Sequence, residues 1–356
     1  PPDTDSSQSF PWHSTSQKFA ALLELLLLAL VCVVIFAACG NLGAEEVAQY
    51  DLTSQGIKVL SNKGNVYYIG RGVQMENYDK FTESLTKYIE NVKQVVSSEV
   101  WIDNNNDLYI GEGGEPKKIG SNIVMASGTQ MGLLAVDKDG NLYAYGIKPY
   151  NGFDKDFKEL TKIEDVKDVV KVSSMGDSAW RFFTLTKDGT VYFKQYDGEF
   201  TKIMDNVKDI QGSYFIDKQD VVYLWNTKGI VKMAPKLQIN LQKDIANTVL
   251  LENNTISYYA GTGVKFDKDD PKIEQLYNHY PKDIKQVLFV NYPGDSKEDR
   301  VINLKLVYVN TKNEIVLYGV HNVYDAEGTV DVNTKVSRSL DDVSKIWEFI
   351  RNPEKN

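Results

Sequence analysis

The chain runs to 356 residues, 42% hydrophobic and 25% charged, proportions that place it among globular proteins rather than disordered ones. Its 49 acidic residues outweigh 40 basic ones for a net charge of −9, which excludes nonspecific nucleic-acid binding because phosphate neutralisation needs a basic surface. Only two cysteines occur, Cys32 and Cys39, so from Gly40 onward no disulfide, thiolate zinc site or thiol nucleophile can form.

Residues 1–17 are rich in Ser, Pro and Asp, lack hydrophobic periodicity and contain no methionine. They read as a disordered leader, not necessarily native. Lys18 then precedes residues 19–38, twenty residues that are apolar except for Glu24. At ~1.5 Å per residue such a helix spans a ~30 Å hydrocarbon core. The run closes in Phe36-Ala37-Ala38-Cys39-Gly40, small residues before a cysteine, as a cleavage site requires. It resembles the lipobox of bacterial lipoproteins, with Phe36 where leucine is usual. That resemblance implies lipid attachment at Cys39; an uncleaved signal anchor over 18–39 is the alternative. Lys18 on the near side predicts that the remainder lies outside the cytoplasm, anchored at the cell surface. Residues 40–55 read as a linker.

From Gly56 onward one pattern recurs: an apolar run, a polar turn centred on Gly or Asn, and a second strand carrying Tyr. It appears as Val59-Leu60-Ser61-Asn62-Lys63-Gly64-Asn65-Val66-Tyr67, as Ile102-Asp103-Asn104-Asn105-Asn106-Asp107-Leu108-Tyr109, as Leu134-Ala135-Val136-Asp137-Lys138-Asp139-Gly140-Asn141-Leu142-Tyr143 and as Phe183-Thr184-Leu185-Thr186-Lys187-Asp188-Gly189-Thr190-Val191-Tyr192. Weaker copies cover 216–224, 250–259 and 307–319. Asp-Gly and similar pairs supply the positive φ that tight hairpins need. Between hairpins a turn feeds an alternating strand that ends in Ser or Gly. Residues 89–97, opening Ile89-Glu90-Asn91-Val92, residues 163–173, opening Ile163-Glu164-Asp165-Val166, and residues 203–212 are the clearest cases. Tyrosines 67, 109, 143, 192, 223 and 258 are separated by 42, 34, 49, 31 and 35 residues, spacings that suit a four-stranded propeller blade.

The hairpins resemble the RCC1 (regulator of chromosome condensation) repeat. The likeness is greatest in residues 128–146, with Leu133-Leu134-Ala135-Val136, Asp139-Gly140 and Tyr143-Ala144-Tyr145-Gly146, and in 169–192. It implies an all-β fold, a β-propeller over 56–350, behind an N-terminal apolar helix and before a tail at 351–356. Seven hairpins imply seven blades. A strand near 343–349 is expected to join the blade holding 57–60 and so close the ring. The resemblance carries no particular function, since propellers serve many.

Chemistry is sparse. His279 and His321 lie well apart without metal-ligand spacing, so no metal and no cofactor are expected. Asp137-Lys138-Asp139-Gly140-Asn141 has a calcium-loop look but lacks the closing glutamate, and a hairpin turn accounts for it better. Of the tryptophans in the repeat region, 101, 180, 225 and 347, blade packing is the ordinary role. Trp180-Arg181 is the pair singled out as a ligand site, where a carbohydrate or peptide could stack. The expectation is therefore a membrane-tethered, noncatalytic binding or scaffold module for a protein, peptide or glycan. A secreted glycoside hydrolase, or another hydrolase using channel carboxylates, is the alternative.

Overall fold

The computed structural model describes residues 43–53, 55–71, 81–97, 99–112, 115–175, 181–196, 198–226, 229–235, 238–241, 248–260, 278–291, 304–321 and 329–351. From Glu46 onward they form one compact unit, a β-propeller of consecutive antiparallel sheets. The blades are β1–β4 (Val47–Leu52, Gly56–Ser61, Val66–Arg71, Phe81–Ile89), β5–β8 (Val92–Ser97, Val100–Asp103, Leu108–Glu112, Glu115–Gly120) and β9–β12 (Ile123–Thr129, Gly132–Asp137, Leu142–Gly146, Phe157–Ile163). Then come β13–β16 (Val169–Ser174, Arg181–Thr186, Val191–Gln195, Thr201–Met204) and β17–β20 (Val207–Gln211, Tyr214–Asp217, Val221–Asn226, Gly229–Pro235). A three-stranded sheet comes next, β21–β23 (Gln238–Leu241, Thr248–Glu252, Thr255–Ala260), and then the last blade, β24–β27 (Ile284–Asn291, Leu304–Asn310, Ile315–His321, Thr329–Val336).

The expected seven blades are thus corrected, among the described residues, to six of four strands. The stretch 238–260 contributes a sheet of three strands among the described residues. Its hairpin pattern gave it a full blade in the sequence, but the pattern reports only a strand–turn–strand pair and not the outer strand. Two further expectations change. Residues 343–349 are not a strand but lie within a helix, α1 (Leu340–Arg351), because Val343, Ile346, Trp347 and Ile350 recur at helical spacing and are buried together. β1 falls inside the stretch read as a linker and is the first strand of its blade. The apolar segment 18–39, with Cys39, lies outside the described residues. No described helix is long and apolar enough to cross a membrane.

Each blade is too thin to have a core of its own. β10 reads Leu133-Leu134-Ala135-Val136 because it is buried on both faces: Leu133 and Ala135 pack against the preceding blade, and Leu134 and Val136 against the next. β14 does the same with Phe182 and Phe183. Continuous apolar runs are the expected signature of such doubly covered strands.

Hydrogen bonds join the blades at one end, here called the turn face. The fourth residue of each described hairpin turn has a positive φ, and in five of the turns its carbonyl accepts the first amide of the next sheet. The bonds run from Val92 N–H to Gly64, Ile123 to Asn106, Val169 to Gly140, Val207 to Gly189 and Ile284 to Asn254, at 2.8–3.0 Å. At the opposite end, the loop face, the Ser173 hydroxyl accepts the Gly212 amide at 2.8 Å and the Ser127 hydroxyl accepts the Ser174 amide at 2.8 Å. The serines that end the alternating strands therefore tie neighbouring blades together.

Candidate functional site

The turns share one construction. A side-chain oxygen at the first position accepts the amides two and four residues on, which replaces backbone partners the turn cannot supply. Asp103 takes Asn105 and Asp107, Asp217 takes Gln219 and Val221, and Asn310 takes Lys312 and Glu314, all at 2.8–3.0 Å. Asp137 takes Asp139 and Asn141 at 2.9 Å. Its second oxygen accepts the Asn141 amide group at 2.8 Å and the Tyr143 hydroxyl at 3.1 Å. The hairpin reading of that loop holds. Tyr223 donates likewise to Asp217 at 3.3 Å, so two of the recurrent tyrosines latch a turn.

The fourth blade departs from this scheme. Thr186 stands at the first turn position, and its hydroxyl donates to Asp188 at 2.6 Å. Tyr192 therefore has no turn carboxylate of the usual kind to bond. The link that enters the blade is also longer. Two residues separate β4 from β5, β8 from β9 and β16 from β17, whereas residues 164–168 separate β12 from β13. The added residues bury Val166 and leave Asp165, Lys167 and Asp168 standing beside the turn. Between them opens a groove of about 570 Å³, walled also by Thr186, Lys187, Asp188 and Tyr192. That volume would take a small ligand or a loop of a larger one.

The groove's ionisable side chains are Asp165, Lys167, Asp168, Lys187, Asp188 and Tyr192. Thr186, followed by the Thr190 amide, holds the Asp188 carboxyl below its usual range, so it stays ionised and cannot act as a general acid near neutrality. Glycosidic hydrolysis needs a carboxylic acid whose pKa is raised. Among the described acids whose pKa moves, Glu99 alone moves upward, through burial. It sits at the β5–β6 turn, in another blade and apart from the groove residues. Among the described residues no group of three or more His, Cys, Asp or Glu side chains gathers to hold a metal.

Of the residues singled out in the sequence, Trp180 and Cys39 lie outside the described residues. Arg181 opens β14 and is half-buried at the loop face. The groove lies at the other end of that strand, about 17 Å away at ~3.4 Å per residue. Trp101 and Trp347 are buried; Trp101 stacks on Tyr109 with ring centroids 5.7 Å apart. The groove itself went unseen in the sequence because Ile163-Glu164-Asp165-Val166 mimics Ile89-Glu90-Asn91-Val92. In space Val169, not Val166, is the counterpart of Val92, since Val169 donates to Gly140 as Val92 does to Gly64. The three-residue slip between the two was the available signal.

Consecutive four-stranded antiparallel sheets, tied through hairpins of the Asp-Gly type, decide the architecture. The chain is a β-propeller. No family model matches it, and no curated protein does. Among solved structures it is similar to human WBSCR16, at 14% identity over 55% of this chain and 69% of that one, with a TM-score of 0.44. It is similar to yeast RCC1 (Prp20), solved with Kap60 bound, at 13% identity over 68% and 77%, TM-score 0.44. Prp20p from Saccharomyces cerevisiae, described with its binding properties to Gsp1p and histones, matches at 13% identity over 82% and 77%, TM-score 0.40.

Proposed function

We propose that this RCC1-like propeller is a noncatalytic binding module, held at the extracytoplasmic face of a membrane through its N-terminal segment with Cys39 as the lipid attachment point. Its ligand is a protein, peptide or glycan, engaged on the turn face of the fourth blade. The observation that carries this reading is the groove made by the lengthened link at residues 164–168. The corresponding link is two residues long between β4 and β5, β8 and β9, and β16 and β17, and the groove offers both charge signs beside a tyrosine. Binding sites on rigid scaffolds are commonly built on such variable connections.

The test is cross-linking and pull-down with the full chain against envelope fractions and glycans, run beside the double variant K167E/K187E. A partner held by the wild type and lost by the equally folded variant is expected. A partner kept equally by both moves the interface away from the groove, and turnover of a polysaccharide with no partner captured overturns the noncatalytic reading. For the tether, C39S is expected to lose incorporation of labelled fatty acid and to leave the membrane fraction.

A further inference from the structure

The fourth blade also departs from its neighbours in what surrounds its recurrent tyrosine. In the second blade Tyr109 lies opposite Trp101 and stacks on it. In the third and fifth blades the hydroxyls of Tyr143 and Tyr223 bond to Asp137 and Asp217. Tyr192 has neither a stacked ring nor a hydroxyl partner among the described residues. Thr184 stands opposite it, and its half-buried ring borders the groove.

Thr184 pairs with Tyr192 and lies two residues before Thr186 on the same strand, so it shares the face that carries the groove. It is fully buried, and its hydroxyl has no hydrogen-bond partner. A covered hydroxyl in that state is costly, and it marks a polar site without its partner. The exposed side chains that line the groove are open as well. Lys167, Lys187, Asp165 and Asp168 form no ion pair or side-chain hydrogen bond among the described residues. The flanking stretches, 115–175 and 181–196, are described throughout. The groove therefore presents ammonium donors, carboxylate acceptors and a phenol that can do either.

Two features turn this surface away from a peptide. Val166 is the one aliphatic side chain in the lining and is itself buried, so an apolar anchor finds no pocket. The cores of protein interfaces are also depleted in the Lys and Asp that prevail here. The second feature is the main chain. The Thr186 amide bonds to the Thr190 carbonyl and the Lys187 amide to the Asp168 carbonyl, so neither is open to a peptide backbone.

We infer that the groove binds a neutral glycan, which deepens the proposed function and rests on the groove being its binding site. A sugar ring lays its C–H face on Tyr192. Its hydroxyls donate to Asp165 and Asp168 and accept from Lys167 and Lys187, bonds strengthened by the ionised partner. An acidic sugar fits less well: three carboxylates against two ammonium groups line the groove, on a chain of net charge −9 whose field repels anions.

The experiment passes the full chain over immobilised neutral hexose and N-acetylhexosamine oligomers, with acidic oligosaccharides and with acidic and basic peptides as parallel arms. Neutral oligomers are expected to be retained, with little change from low to high salt because the ligand carries no charge to screen. D165N/D168N and K167E/K187E, each shown to be folded by thermal melts, should bind at least about tenfold more weakly, the loss of hydrogen bonds to charged groups. Y192L, which keeps apolar bulk but no ring face, should weaken binding about threefold or more. Retention of no neutral oligomer, or preference for acidic sugars or peptides, overturns the inference. The groove still stands as the binding site in that case if K167E/K187E loses a protein that the wild type captures. Neutral oligomers held equally by the wild type and by both charge variants would place the sugar elsewhere and overturn it too.

Discussion

At the residue scale, the turn aspartates show how one side chain can organise a blade. Asp137 is buried at 7% exposure and accepts two amides, an Asn141 side-chain amide and the Tyr143 hydroxyl. Burial alone would push its carboxyl up, but the hydrogen bonds from Asn141, Tyr143 and Asp139 outweigh it, and the net pKa is lowered. Replacing Asp137 by Ala leaves those donors unpaired in a covered turn. The expected cost is about 1–3 kcal/mol, read by denaturant unfolding, with D137N losing less because it keeps an acceptor for the amides. A smaller correlation runs through the inner strands. Each four-stranded blade bulges at the second residue of its first strand. Where the turn's fourth residue is Asn106, Asp220 or Asn313, the bulged residue is Lys93, Lys208 or Lys285 and the two are bonded. Where that residue is Gly64, Gly140 or Gly189, which offer no side chain to pair, the bulge carries Ala48, Val124 or Val170.

At the scale of elements, α1 is set by its first turn. The Asp342 carboxylate takes the Ser337 amide at 2.7 Å, the Ser337 hydroxyl at 2.6 Å and the Lys345 ammonium. Lys345, then Ser337, draw its pKa from 3.8 down to about 2. Because the folded value lies below the unfolded one, this stabilisation is present above pH ~4 and drains away as pH falls toward ~2. D342N is expected to be less stable by about 1 kcal/mol at neutral pH, the worth of a helix-start carboxylate. Its stability should also fall less steeply between pH 4 and 2, followed by thermal melts across that window. A variant as acid-sensitive as the wild type would place the titrating group elsewhere. The hairpins were legible in the sequence because their chemistry is local: a turn that needs positive φ must use Gly, Asn or Asp. α1 was not, since 343–349 also fits a short alternating apolar run, and only packing against two blades selects the helical period. The candidate sites were half legible. Arg181 was visible as a rare arginine beside a tryptophan, whereas the groove depends on a link length that the repeat pattern disguises.

For the whole molecule, the decisive question is how the ring closes. Most neighbouring blades are consecutive in the chain and joined by a turn carbonyl that accepts the next blade's first amide. The last blade and the first are far apart in sequence, and their junction is made differently. There Val47 N–H donates to the Arg338 carbonyl at 2.7 Å, and Glu46 bridges Ser339. α1 fills the seam, its Val343, Ile346, Trp347, Phe349 and Ile350 packing with Ile57 and Ile69 of the first blade and Val307 and Leu317 of the last. Lys305 of β25, itself buried, donates to the Phe349 carbonyl at 2.5 Å. The clasp is therefore one helix and a short bridge, and Trp347, 3% exposed, is its largest side chain. Trp347→Ala is expected to cost about 3–5 kcal/mol through the cavity it leaves. Its distinctive effect should be local. In native-state hydrogen exchange the amides of Val47 and of β24 should lose protection first, while those of Val92, Val169 and Val207, held by turn carbonyls, keep theirs. A uniform loss across all blades would instead mean that the ring opens nowhere in particular and that the helix is a packing element like any strand. Selective loss at β1 and β24 would make α1 the point from which the propeller unzips.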